Sequence, residues 1–237
     1  MSFSSWPERK ALRYVVTMAP KAPPLNGNWQ DDSWADARVG SVGSFHPQST
    51  VHRPRTQFRV MHSGDVLYVI FRVEDQFVRS RRVAFQEHVS DDSCVEFFAR
   101  PRPDRGYFNF EINCGGTMLL YYIEDPTREG RAFVRYTAVE EKVAHAVRIF
   151  HSMPKEVNPE VETPVTWIIQ YEIPLVLFEA YVGAIGKLGG QSWTANFFKC
   201  GEMTSHPHWA SWSPIGEELN FHQPQFFGSL EFEGESG

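Results

Sequence analysis

Short apolar runs alternating with polar residues, each closed by Gly, Pro or Asp, recur along most of the chain. TQFRVMHSGDVLYVIFRVED reads as two strands joined by a turn at Gly64-Asp65. In the second strand Leu67, Val69, Phe71 and Val73 form an apolar side, opposite a mixed side of Tyr68, Ile70, Arg72 and Glu74. DSCVEFFARP is a further strand, with Val95 and Phe97 on one face and Cys94, Glu96 and Phe98 on the other. GYFNFEINCGG is the cleanest case. Phe108, Phe110 and Ile112 must face a core, so Tyr107, Asn109, Glu111 and Asn113 line the opposite face.

Gly115-Gly116 then turns the chain into TMLLYYIE. RAFVRYTAV, VAHAVRIF, VTWIIQYEIP, SWTANFFKC and FFGSLEF supply further strands. One short helix, LVLFEAYVG, is expected to start after Pro174 and stop at Gly183. Many short strands with few helical turns predict an all-β fold, a single antiparallel β-sandwich of jelly-roll or immunoglobulin-like type with one or two short helices. No repeat or Gly/Ser/Pro-rich linker divides the chain, so one domain over residues 1–237 is expected.

Composition narrows the function. Hydrophobic residues at 42% supply a substantial core, and a formal charge of −6 without basic tracts argues against nucleic acid as a partner. Cys94, Cys114 and Cys200 lack metal-knuckle spacing and are odd in number, which favours buried reduced thiols over a disulfide framework. No run approaches the length of a membrane helix, so no membrane partner is expected. The amino-terminal MSFSSWPERKALRYVV has no signal-like apolar region. The sequence as it stands predicts a soluble, cytoplasmic protein; an upstream signal missing from it would make the protein secreted or periplasmic.

The candidate chemistry lies on the polar strand faces. Glu96, Asn109, Glu111 and Asn113 gather into one patch if their strands are neighbours, and Asn196, pointing away from Trp193, Ala195 and Phe197, joins them. Amides and carboxylates can pair with sugar hydroxyls. A solvated outer sheet face has the same pattern, and both readings stay open at this point. Glu96 and Glu111 also have the residue types of a glycosidase pair, although ordinary surface carboxylates are far commoner. His206-Pro207-His208, with His222 further on, is an incomplete zinc set, and two loop histidines are the favoured reading. Asp31-Asp32 and Asp91-Asp92 permit calcium without indicating it; Asp91 and Asp92 are its weak candidates.

Several segments, taken in order, resemble carbohydrate-binding module family 9 and the wider DOMON-like sandwich group. They are PLNGNWQDDSWADA, VLYVIFRVEDQFV, SDDSCVEFFARP, YFNFEINCGG, YEIPL, WTANFFKCG and WSPIGEELNFHQPQFFGSLEF. The resemblance spans about residues 20–233 and leaves an appended amino-terminal segment. It implies a β-sandwich that binds the end of a sugar chain, often with structural calcium, using Glu96, Glu111, Asn113 and Asn196. Where sugar-binding members place stacking rings, this chain has His88 in EHVS and Lys199 after Asn196. Trp209 and Trp212 are the candidates to replace those platforms.

The leading expectation is therefore non-catalytic binding of a mono- or oligosaccharide, alone or beside a carbohydrate-active enzyme. The resemblance also leaves a haem-binding electron-transfer module as an alternative, with Met118, Met203, Lys199 and the histidines as available ligands. A sugar-active enzyme working through Glu96 and Glu111 is another, and a purely structural sandwich is the last.

Overall fold

The computed structural model describes residues 12–130 and 132–234, which leaves the first eleven residues outside the description. Two β layers face each other. In the first, the strands run Ala132–Ala138, Met118–Glu129, Tyr107–Asn113, Cys94–Arg100, Ser192–Cys200 and Gly228–Phe232. In the second the order is Arg55–His62, Val66–Asp75, Val165–Pro174 and Arg148–His151. Within these layers the pairs are antiparallel. Arg13–Met18 is the exception to the antiparallel expectation. It runs parallel to Gly228–Phe232 through residues 13–16 and parallel to Arg55–His62 through Thr17 and Met18, joining the layers along one edge.

The predicted apolar faces meet in the interior. Leu67, Val69, Phe71 and Val73 of one layer and Phe97, Phe108, Phe110 and Phe197 of the other share one buried cluster. Phe58 stacks on Phe197 across the gap, with ring centroids 3.7 Å apart. The expected helix forms as Leu175–Val182, and Phe178 plugs one end of the core against Phe108, Phe110 and Trp193. Gly183 ends it at φ 80°, a backbone region in which glycine carries no Cβ penalty.

VAHAVRIF is not one strand. Glu141–Ala144 is a helical turn, and strand structure resumes only at Arg148–His151. Ala144 and Val147, three apart and both buried, mark a helical rather than a strand period. FFGSLEF likewise begins as a 3₁₀ turn over Pro224–Phe226 before pairing over Gly228–Phe232. Among the described residues no helix is long and apolar enough to cross a membrane.

The outer faces of the two layers have different fates. That of the second is covered by the segment before Gly40, with Trp29 and Trp34 packed on Tyr68 and Ile70. Buried Gln170 clamps this cover, accepting from the Gly27 amide and donating to the Pro24 carbonyl. That explains the mixed side of Val66–Asp75. On the first layer, the outer face carries an open cleft.

Candidate functional site

A cleft of about 620 Å³ opens over the strands Cys94–Arg100, Tyr107–Asn113 and Met118–Glu129. Pairing register builds its floor: Glu96 lies directly opposite Glu111, and Glu111 opposite Leu119. Directly opposed residues on neighbouring strands share a face, so both carboxylates rise from the floor side by side. Phe133 and Tyr136 form part of one wall. Leu219–His222, Glu202 and Trp209, which opens the short strand Trp209–Ser211, contribute to the rest.

The floor is electrostatically unusual. Glu96 and Glu111 are only 2% and 7% exposed, and a charged carboxylate loses hydration at such positions. Burial pushes the Glu111 carboxyl up to about 7, against a hydrogen bond from Asn109 Nδ2 at 2.7 Å that favours the charged form. Burial, then Cys200 and Glu111, raise Glu96 well above the usual carboxylate range. The Glu96 carboxylate accepts from Cys200 Sγ at 3.2 Å. Glu202 and Arg128 also line the cleft, and act on Glu111 in opposite directions, the first raising and the second lowering it.

The walls are aromatic. Trp209, Tyr121 and Phe221 are partly exposed, Tyr136 is 40% exposed, and Phe221 stacks on Phe198 at 4.1 Å. His222 packs between Phe98 and Phe133, and its Nδ1 lies 2.9 Å from the Tyr107 hydroxyl. The cleft thus offers ionisable acceptors below and flat rings at the sides. That arrangement suits a ligand with many hydroxyls and an apolar C–H face.

The model of carbohydrate-binding family 9 matches residues 34–232. The chain belongs to carbohydrate-binding family 9. Among solved structures it is similar to a protein of Bacteroides uniformis provisionally described as carbohydrate-binding, with 29% identity and a TM-score of 0.81 over 94% of this chain and 100% of that one. It also shares its fold with a family 9 module of Caldicellulosiruptor kristjanssonii in complex with cellotriose, at 15% identity and a TM-score of 0.64 over 95% of each chain. The same organism's module in complex with glucose gives 15% identity and a TM-score of 0.63 over 95% of this chain and 97% of that one. The curated proteins return no match.

Of the residues singled out on this family 9 chain, Glu96, Asn109, Glu111, His88 and Trp209 line the cleft. Asn109 is committed within the protein: its Oδ1 accepts from the Tyr121 amide and its Nδ2 donates to Glu111, so it orients the carboxylate. Asn113, Asn196, Lys199 and Trp212 lie elsewhere. Asn113 is fully buried, donating to the Arg82 carbonyl and to Asp92 and accepting from the Thr117 amide. Asn196 keeps the outward parity expected of it but is roofed by the Ser213 backbone, which it pairs in both directions. Lys199 shares the parity of Phe197 and points between the layers, where it meets Asp75 and His208. Trp212 packs in the core against Tyr14, Phe58 and Phe197, not at the rim. Strand alternation accounts for this: Trp209 and Trp212 are three residues apart and therefore face opposite ways.

Calcium, the ion expected of family 9, does not fit Asp91 and Asp92. Asp92 already accepts from Arg79 Nε, the Arg81 and Arg82 amides and Asn113 Nδ2, while Asp91 pairs with Arg82. Arginines and amides occupy the oxygens that a hard cation would need. The histidines do not converge either. His208 bonds Lys199 and the His206 carbonyl, while His206 stacks on Phe77. As for haem ligands, Lys199 is engaged, Met118 is buried in the core and Met203 lies 60% exposed.

Sequence reasoning missed Tyr121, Tyr136, Phe221, Arg128 and Glu202, and read His222 as a loop histidine and not as part of this cleft. Tyr121 was within reach, because its outward parity matches that of Glu111's neighbour Leu119. The others lie on long connections or at the far end of a hairpin, where no periodicity points to the cleft.

Proposed function

We propose that this protein binds carbohydrate in the cleft above Glu96 and Glu111, holding a monosaccharide or the end of an oligosaccharide without cleaving it. The carrying observation is the pair of buried, directly opposed carboxylates within an aromatic wall. Both rise from one sheet, so they meet the same side of a ligand. A glycosidase pair instead flanks the bond to be broken, with an acid on one side and a base or nucleophile placed to attack. One-sided carboxylates suit hydroxyl recognition.

Of the two tryptophans expected to stack on sugar, Trp209 takes that role without Trp212. Trp209, with Tyr121 and Phe221 near it, offers the apolar face that a pyranose C–H surface needs. The cleft volume fits one or two sugar rings, within the size range of small-ligand sites.

Calorimetry against a glycan panel beginning with glucose and cellotriose, the sugars held by the Caldicellulosiruptor modules, tests this reading. Trp209→Ala is expected to weaken binding by about tenfold, roughly the 1–2 kcal/mol of one lost aromatic contact, with little change in melting temperature. Silence across the panel sinks the proposal, and so does release of reducing sugar from a bound oligosaccharide.

A further inference from the structure

Cys94 and Cys200 are direct partners in the register between the strands Cys94–Arg100 and Ser192–Cys200. Glu96 stands two residues along from Cys94, so alternation places its side chain on the same face. The two Sγ atoms and a Glu96 carboxylate oxygen all lie within 4.8 Å of one another. We propose that Cys94, Cys200 and Glu96 form a site for a thiophilic divalent cation of the zinc class, set into the floor of the cleft.

Three observations carry this. The donors match: thiolate, thiolate and carboxylate are all zinc ligands, and the thiolates select against calcium and magnesium. The spacing fits, since a tetrahedral ion with Zn–S of about 2.3 Å and Zn–O of about 2.0 Å needs its ligands roughly 3.5–3.8 Å apart. Cys200 Sγ and Glu96 Oε1 stand 3.2 Å apart, so a small side-chain shift admits the ion. Glu96 is 2% exposed, yet the hydrogen bond to its carboxylate comes from a thiol, a weak donor, in a floor shared with a second acid.

The surroundings support it. Val89 and Leu119 pack with the two thiols, and partly buried Trp209 and Phe221 close over them as an apolar sleeve. Such a shell slows exchange and excludes competing water. Lys199, donating to the Cys200 carbonyl at 2.8 Å, sets a positive charge behind the site. Two thiolates and a carboxylate around a divalent ion sum to −1. Of the three ligands, Glu96 lines the cleft.

Uptake involves no electron transfer. The ion displaces whatever protons its two thiols and one carboxyl carry, up to three per ion. Each ligand binds deprotonated, so affinity rises with pH.

The test uses the intact, reduced protein, freed of metal by chelator and dialysis. Cadmium titration should produce an ultraviolet thiolate-to-metal charge-transfer band that saturates at one ion per chain. Zinc should compete for it, with proton release proportional to uptake. Cys94→Ser and Cys200→Ser should each weaken binding at least a hundredfold, and Glu96→Gln about tenfold. Cys114→Ser, which alters a thiol outside the site, should leave the band unchanged. No band at one equivalent of cadmium overturns the proposal, and that readout needs no variant. A band that persists unchanged in Cys200→Ser overturns it equally. None of these readouts depends on sugar binding.

Discussion

Replacing Lys199 with methionine is expected to lower unfolding free energy by about 3–5 kcal/mol, because it strands Asp75 as an unpaired buried charge. Both side chains are fully buried between the layers, with Nζ 3.5 Å from Asp75 Oδ2. His52 Nε2 and Trp167 Nε1 complete the shell around that carboxylate at 2.8 and 3.1 Å. For a domain of this size the loss corresponds to a melting shift on the order of 10 °C. The double variant Lys199→Met with Asp75→Asn should recover part of it, since the charge is then gone from both sides. A melt of Lys199→Met within a degree or two of wild type would refute the account.

The same cluster sets an acid dependence. An ammonium only donates, so His208 Nε2 must accept from Lys199 at 2.7 Å, leaving the proton on Nδ1 to donate to the His206 carbonyl. Burial, then the Lys199 charge, push His208 down to about 3. Between that value and the unfolded value of about 6.5, only the unfolded chain takes up the proton, so stability falls as pH drops from about 6.5 toward 3. Burial alone would raise Asp75, but Lys199 and His52 outweigh it and hold the carboxyl below the usual range. Its contribution stands above about pH 3.9 and is lost only as pH falls further. Denaturant melts between pH 7 and 3 check the His208 window, and melts carried below pH 3 check that of Asp75.

Glu111→Gln should separate binding from stability. At pH 8 the ionised carboxylate is the stronger acceptor for a sugar hydroxyl, and losing a charged hydrogen bond costs about 1.5–3 kcal/mol, roughly tenfold to a hundredfold in affinity. With Glu111 near 7, wild-type affinity is expected to rise between pH 5.5 and 8.5, while the variant's stays flat. Stability moves the opposite way. A carboxyl raised in the folded state contributes fully below its unfolded value of about 4.3 and loses that contribution as pH rises through about 7. The glutamine variant should therefore melt higher than wild type at pH 8 and no differently at pH 4. Calorimetry and thermal melts at the two pH values decide the matter. Equal affinity at pH 8 would remove Glu111 from the binding site.

The carboxylate floor was legible because strand alternation is a strict two-residue period. GYFNFEINCGG cannot bury Phe108, Phe110 and Ile112 without turning Asn109 and Glu111 outward. The same rule, applied two residues past Phe197, sends Lys199 inward, and a lysine between two sheets demands the acid found at Asp75. Trp212 obeys it too, sharing the parity of core residue Ala210.

The sequence by itself determined most of the long strands, the inward and outward sets on them, the helix between Pro174 and Gly183, and the family. All of these follow from local periodicity, punctuation and ordered motifs. Tertiary structure alone decided which outer face stays open. Trp29 and Trp34 cover one layer, while Trp209 from the short strand Trp209–Ser211 and Phe221 and His222 from a distant loop wall a cleft on the other. Register placed Glu96 opposite Glu111 and Cys94 opposite Cys200, because strand pairing is fixed by packing of the whole sheet and not by either strand alone.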